Sequence, residues 1–421
     1  MDTPERSFQK WRPLKQGMGI SMRSKTVTAA CGLALAVAAA APAAAASLEG
    51  QAFAIDKTTA SQAVYPSTFA TGGANFGVSF AGDTNSDGGA DTVWLQLFKA
   101  KGKPDGKKAE VAKGKPGMTG VVSTFPSGGL ALSGGGALVS YFDLRFTPPL
   151  ASGGLFGQEM KGGKKVGKEV EIDAVKTDQV SVGALVPLKQ GGLAWWTSIN
   201  FQTREQTGAG RFVSADGKLD KAVIDFSRPK SQFSGAFPFL DGFIAQWVEM
   251  DKSFKKGRVF ARIYDGKGKP TGPEQALTET GPLEEVVFTS AIGLAGGEIA
   301  VVTSARKTGG GAKLTAQLYD KSWKTVGKEK TLVKEMLDQP YAAHPLTDGG
   351  LLVGAKVADG AKDQALALTT FNATLKAVGP TARIAGVAKP DFAQMLALED
   401  GSAVVLYTSD GKSLTGQLIK P

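Results

Sequence analysis

The sequence predicts an all-β chain made of one repeated unit of short strands, on three observations. First, 55 Gly and 20 Pro punctuate a 421-residue chain whose hydrophobic share is an ordinary 42%, a turn-rich globular composition that excludes a disordered chain and a coiled coil. Second, a tight Gly turn recurs at Thr71-Gly72-Gly73, Ser127-Gly128-Gly129, Gln190-Gly191-Gly192, Asp241-Gly242, Ala295-Gly296-Gly297, Asp348-Gly349-Gly350 and Asp400-Gly401. Third, a short apolar run follows each turn, from Ala74–Phe80 to Ser402–Thr408, and near-continuous apolarity in short runs marks strands buried on both faces. No useful stretch shows a 3.6-residue period. Four strands in roughly 50 to 60 residues, repeated along the chain, is the pattern of a seven-bladed β-propeller with four-stranded antiparallel blades.

The N-terminus reads as an export segment, 1–46. Arg23 and Lys25 give a positive start, Val27–Ala41 an apolar stretch ended by Pro42, and Ala44-Ala45-Ala46 a small-residue cleavage pattern. The stretch is too short and Ala-rich for a spanning helix. Cys31, the one cysteine, leaves with this leader, so no disulfide framework is expected. Met22 is the better start. The mature chain, 47–421, is expected to be a single monomeric domain, soluble in the periplasm or outside the cell. Net charge is +10 over the full sequence and falls once the basic leader is removed, which is weak for a nucleic-acid binder.

Next comes a spare strand, Gln51–Ile55. The last unit holds only three strands, Phe392–Leu398, Ser402–Thr408 and Ser413–Ile419. The spare strand is therefore expected to complete that unit as its outermost strand and close the ring, because an open edge invites aggregation. Within each unit the third strand alternates, as in Thr92–Phe98, Arg258–Tyr264 and Lys313–Tyr319, which marks a half-buried strand. A further small turn is expected after it, at Gly106-Lys107-Lys108, Gly167-Lys168-Glu169, Gly272-Pro273-Glu274, Gly327-Lys328-Glu329 and Gly379-Pro380.

One loop carries chemistry. After the second strand of the first unit the chain reads Asp83-Thr84-Asn85-Ser86-Asp87-Gly88-Gly89-Ala90-Asp91. Calcium takes six to eight hard oxygen ligands, and alternate residues of a tight loop aim side chains at one point. Asp83, Asn85, Asp87 and Asp91 are the expected side-chain ligands, with the carbonyl of Gly89. Ala81–Val93 resembles an FG-GAP repeat, the calcium-loop blade of integrin α-subunit propellers and of many secreted bacterial proteins. The resemblance covers about one unit and implies a calcium loop inside a blade hairpin; it does not carry integrin-like ligand recognition. The expected ion is structural, since three packed carboxylates repel one another without it.

The loops between second and third strands should share one face of the ring. Arg145, Arg204, Lys252, Lys255, Lys256, Arg306 and Lys307 lie there, with Phe142, Phe146, Trp195, Trp196, Phe201 and Trp247 nearby. They form a candidate face for an anionic polysaccharide or another envelope protein, at 143–147, 200–210, 251–257 and 305–313. Trp195 and Trp196 are adjacent in a strand, so only one can join a given surface. The lysine-rich connections between third and fourth strands fall on the opposite face and read as solubilising turns. His344, the one histidine, has no partner motif. Glu249 and Asp251 form the one conceivable glycosidase pair. The sequence therefore favours an exported, non-catalytic binding or scaffolding protein with one structural calcium. A propeller hydrolase or lyase acting on a glycan, and a self-assembling envelope protein, are the alternatives.

Overall fold

The computed structural model describes residues 46–55, 66–84, 90–114, 122–147, 150–173, 179–200, 203, 205–228, 231–250, 256–278, 281–282, 286–306, 311–337, 342–360, 363–385, 391–409 and 413–421. Most of the export segment and its cleavage pattern lie outside these residues. Among them, no helix is long and apolar enough to cross a membrane.

The chain forms antiparallel meanders in sequence order. In the first blade, Ser67–Gly72, Asn75–Gly82 and Thr92–Lys99 pair in turn, and the short strands Lys103–Pro104 and Ala109–Lys113 complete it. Separate four- or five-stranded sheets follow at 231–282, 286–336 and 342–384. In the closing blade, Asp391–Ala397, Ala403–Ser409 and Ser413–Lys420 are joined by the N-terminal strand Ser47–Ala54, which pairs antiparallel with the last strand. Successive blades pack face to face and the last meets the first, which defines an all-β propeller.

Five blades are separate sheets, against the seven expected. Residues 122–225 make one eight-stranded sheet, formed by two four-stranded meanders, 122–171 and 179–225. Parallel bridges link them at Leu185↔Gly128 and Val180↔Gly153. The cause is local. Gly128 holds φ +153°, and a Cβ there would sit 2.3 Å from the Leu185 carbonyl oxygen. Without a side chain, the two inner strands approach closely enough to bond.

The core is a series of interleaved apolar layers. Phe69, Leu95 and Val111 of the first blade pack on Val139, Tyr141 and Met160. Leu138, Leu155 and Ile172 pack on Leu185, Ala194 and Trp196 inside the eight-stranded sheet. Leu193 and Phe226 meet Phe233, Phe243 and Trp247; Ile244 and Ile263 meet Ile299 and Val301; Val302 and Leu314 meet Leu351 and Val353. Leu352 and Leu366 meet Met395 and Val405. Leu396 and Leu406 then meet Phe76 and Phe80, returning to the first blade. Each fully buried Phe or Leu contributes roughly 1.5–3 kcal/mol.

The closing strand is mostly exposed, and two side-chain contacts add to its backbone pairing with the last strand. The Phe53 ring lies 5.4 Å from Phe98 and 6.2 Å from Phe76, between centroids. The second contact is a side-chain amide bond that other blades repeat. Gln96, Gln158, Gln317 and Gln417 stand in third strands, and each donates Nε2 to a carbonyl of the neighbouring fourth strand. There the register shifts around Gly106, Gly167, Gly327 and Gly50, all at positive φ. The expected second turns at Gly167, Gly327 and Gly379 are thus bulges within outer strands. A left-handed Gly adds residues to one strand without ending it.

Candidate functional site

The ends of the 83–91 loop are built by the first blade. Gly82 pairs with Thr92, and Asp91 N–H donates to the Gly82 carbonyl at 2.9 Å. The loop base also bonds forward: Thr124 N–H donates to the Ala90 carbonyl at 2.9 Å and Gly114 N–H to the Asp91 carbonyl at 2.7 Å. Asp91 is buried. Its Oδ1 accepts from Thr84 N–H at 2.9 Å and Thr92 Oγ1 at 2.8 Å, and its Oδ2 accepts from Thr84 Oγ1 at 2.7 Å. Burial works to raise the Asp91 pKa, but these hydrogen bonds and the Lys113 charge outweigh it and hold the carboxyl below its usual value. Asp83 is half-buried at the opposite end of the loop.

Two carboxylates, Asp83 and Asp91, thus stand at the paired ends of a short loop, and hydrogen bonds hold the second in its ionised form. Asn85, Asp87 and Gly89 lie outside the described residues. Among the described residues, no group of three or more His, Cys, Asp or Glu is placed to hold a metal.

Of the expected basic loop face, Arg306 is described. It is exposed at the end of Ile299–Arg306, paired with Ala312. Arg204, Lys252, Lys255 and Lys307 lie outside the described residues; Arg145 and Lys256 are placed by backbone alone, in strands paired with Val122 and Pro282. Of the nearby aromatics, Phe142, Trp195, Trp196 and Trp247 turn toward the core; Phe201 lies outside the described residues, and Phe146 is placed by backbone alone. Trp196 packs in the layer inside the eight-stranded sheet and Trp195 in the layer on its other side, the opposite-face arrangement that strand alternation requires. Phe142 and Trp247 are buried too.

Glu249 is tied to a different task from the conceivable hydrolytic pair. Arg228 Nη1 lies 3.1 Å from Glu249 Oε2, Arg228 Nη2 lies 3.0 Å from Glu274 Oε1, and the guanidinium stacks 4.0 Å from the Phe260 ring centroid. This clamp joins the end of the eight-stranded sheet to the 231–282 blade. Its members are far apart in sequence, so no local signal announces it. Asp251 lies outside the described residues. His344 is fully buried on the first strand of the 342–384 blade, opposite Leu352. Neither ring nitrogen has a partner among the described residues, and burial pushes its pKa down to about 3.

The hairpins between third and fourth strands emerge on the opposite face from Arg306. Their carboxylates and amides turn inward. Asp265 Oδ1 accepts from Lys267 and Lys269 N–H, Asp320 Oδ1 from Ser322 and Lys324 N–H, and Asn372 Oδ1 from Thr374 and Lys376 N–H. These are Asx turns, and the lysine side chains after them stay exposed.

No protein-family profile matches the chain. No curated protein matches it either. Among solved structures it is similar to an acylaminoacyl peptidase of Pyrococcus horikoshii, at 12% identity and TM-score 0.48, covering 86% of this chain and 52% of that one. It is also similar to the β-propeller domain of the Trilobed protease of Pyrococcus furiosus, at 9% identity and TM-score 0.43, covering 84% and 93%. A third likeness is to an α-L-arabinanase of Penicillium chrysogenum, at 14% identity and TM-score 0.42, covering 70% and 92%. The chain spans about half the length of the acylaminoacyl peptidases.

Proposed function

We propose that this chain is an exported, monomeric, non-catalytic β-propeller that binds or scaffolds an anionic glycan or another envelope component, with one structural calcium ion in loop 83–91. In this reading the ring has seven blades, because 122–171 and 179–225 are two blades in edge contact. The apolar layer between them is supporting evidence, since it matches in kind the layers between separate sheets. Asp83, Asn85, Asp87 and Asp91 with the Gly89 carbonyl would hold the ion, which supplies positive charge that fastens the loop. Arg145, Arg204, Lys252, Lys255, Lys256, Arg306 and Lys307 form the proposed ligand face.

One observation carries binding over catalysis: interior amides and hydroxyls such as Gln246 and Thr197 are bonded between blades, while Arg306 of the proposed ligand face stays exposed. Gln246 Nε2 donates to the Thr289 carbonyl at 2.9 Å and its Oε1 accepts from Ala291 N–H at 3.1 Å, stitching one blade to the next. Thr197 Oγ1 donates to the Phe233 carbonyl at 3.1 Å, and Thr124 to Asp143 at 3.2 Å.

Glycan-array binding at low and high salt tests the reading. Salt-sensitive retention of acidic glycans without release of new reducing ends supports it. Release of reducing ends would establish the hydrolase or lyase instead, and concentration-dependent polymers in sedimentation the self-assembling protein. For the metal, thermal melts with EDTA and with added calcium should differ by several degrees, and Asp87→Ala should abolish the difference.

A further inference from the structure

The outer rim where the 67–113 blade meets the eight-stranded sheet carries a repeated pair of lysines. In the first blade, Lys103 starts the fourth strand at the hairpin tip and Lys107 follows the bulge glycine Gly106. In the next meander, Lys164 starts the outer strand Lys164–Glu171 and Lys168 follows Gly167. The two pairs occupy equivalent places on neighbouring modules, tip and bulge, each four residues apart and so at most about 13 Å along an extended chain. The outer strands are neighbours in space, because Lys165 Nζ lies 3.0 Å from Glu110 Oε1 across the two sheets.

All four lysines are exposed, and none has an ion-pair partner among the described residues. The nearby carboxylates are committed elsewhere. Asp105 pairs with Lys99 at 3.2 Å, Glu110 with Lys165, and Glu169 accepts from the Tyr141 hydroxyl. Glu171 lies at the far end of the outer strand. Lys101, exposed at φ +64°, adds to the tip. Addition of a partner strand is disfavoured, because a bulged, lysine-bearing edge resists pairing. A flat anionic bilayer is disfavoured as well: Lys103 and Lys164 sit at hairpin tips while Lys107 and Lys168 sit partway along the outer strands, so the array turns a corner.

We infer that Lys103, Lys107, Lys164 and Lys168 form a binding site for a flexible linear polyanion, whose regularly repeated carboxylate, sulfate or phosphate groups can follow that corner. The site lies on the rim and on the opposite face from Arg306, and it stands whether or not the loop-face reading above is right.

The experiment is fluorescence anisotropy with labelled polygalacturonate, heparin and long-chain polyphosphate over a salt series. The variants compare K103Q/K107Q/K164Q/K168Q with K218Q/K324Q/K328Q/K376Q, which removes equal charge elsewhere, and with R306Q/K307Q. The site predicts at least a tenfold loss in the first set and less than twofold in the second, with a shallower salt slope in the first set; R306Q/K307Q reads the loop face separately. A lysine-to-arginine quadruple at 103, 107, 164 and 168 should retain binding, which separates charge from folding. The strongest of the three probes then identifies the anionic group. Equal losses in both quadruple sets would mean diffuse net charge and overturn the site. Loss confined to R306Q/K307Q would leave the loop face standing and overturn the rim. No binding to any probe, or binding to phosphatidylglycerol vesicles alone, would also overturn it.

Discussion

Gln417 Nε2 donates to the carbonyl of Glu49 at 3.0 Å, across 368 residues of chain. The same amide reaches the Gly50 carbonyl at 3.5 Å. Within single meanders Gln158 does this for Val166 and Gln317 for Val326. The strand Ser47–Ala54 is therefore captured by the device that stitches fourth strands elsewhere. Replacing Gln417 by Leu removes these bonds and returns the exposed Glu49 and Gly50 carbonyls to water, a net loss of about 0.5–1.5 kcal/mol. Denaturant unfolding of Gln417→Leu should show that loss, whereas Gln275→Ala, whose amide bonds at an exposed site, should stay within about 0.5 kcal/mol of the parent.

His344 sets a pH dependence. Its folded pKa is about 3 against an ordinary 6.5, so the unfolded chain binds the extra proton first. Stability from this residue is intact above pH 6.5, falls as pH drops below it, and levels off near pH 3. The slope is about 1.4 kcal/mol per pH unit. His344→Leu should flatten the stability profile by that amount between pH 6 and 4. Parallel profiles would mean the imidazole finds a partner or solvent.

Gly128 should not tolerate a side chain. Gly128→Ala meets the Leu185 backbone and a positive φ, a combined penalty of roughly 1–3 kcal/mol. Gly134 has open space and ordinary φ, so Gly134→Ala should be near neutral. Thermal melts of the two variants settle whether the meanders touch there.

Asp91 and Asp87 should separate in their metal dependence. Asp91 closes the loop base through Thr84 and Thr92, so Asp91→Ala should lower the melting temperature even in EDTA. Asp87→Ala should lower it in calcium alone. A loss from Asp87→Ala, relative to the parent, that is the same in EDTA as in calcium would remove the ion from the account.

The strand order was legible because Gly turns such as Asp348-Gly349-Gly350 and apolar runs such as Leu351–Val357 are local signals, and the structure has Leu351–Asp359 as a strand. The Asp83 and Asp91 ends of the loop were legible for the same reason. Trp195 and Trp196 fell on opposite sides as alternation demands. The bulges were misread as turns because a left-handed Gly serves both, and at Gly106, Gly167 and Gly327 the bulge is marked by a glutamine one strand away. Gln96, Gln158, Gln317 and Gln417 repeat visibly in the alternating strands, yet their partners are fixed by pairing. The merged sheet and the Arg228 clamp were hidden for the same reason: Leu185 against Gly128, and Arg228 against Glu249 and Glu274, are tertiary contacts.

Ring closure by the two chain ends is tested most directly by a cross-link. Ser47 pairs with Lys420 in the closing blade. In a Cys31→Ser background, Ser47→Cys with Lys420→Cys should oxidise to an intramolecular disulfide within a monomer and raise the melting temperature. Free thiols after oxidation, or disulfide-linked dimers in place of the internal bond, would contradict a ring shut by its own N-terminus.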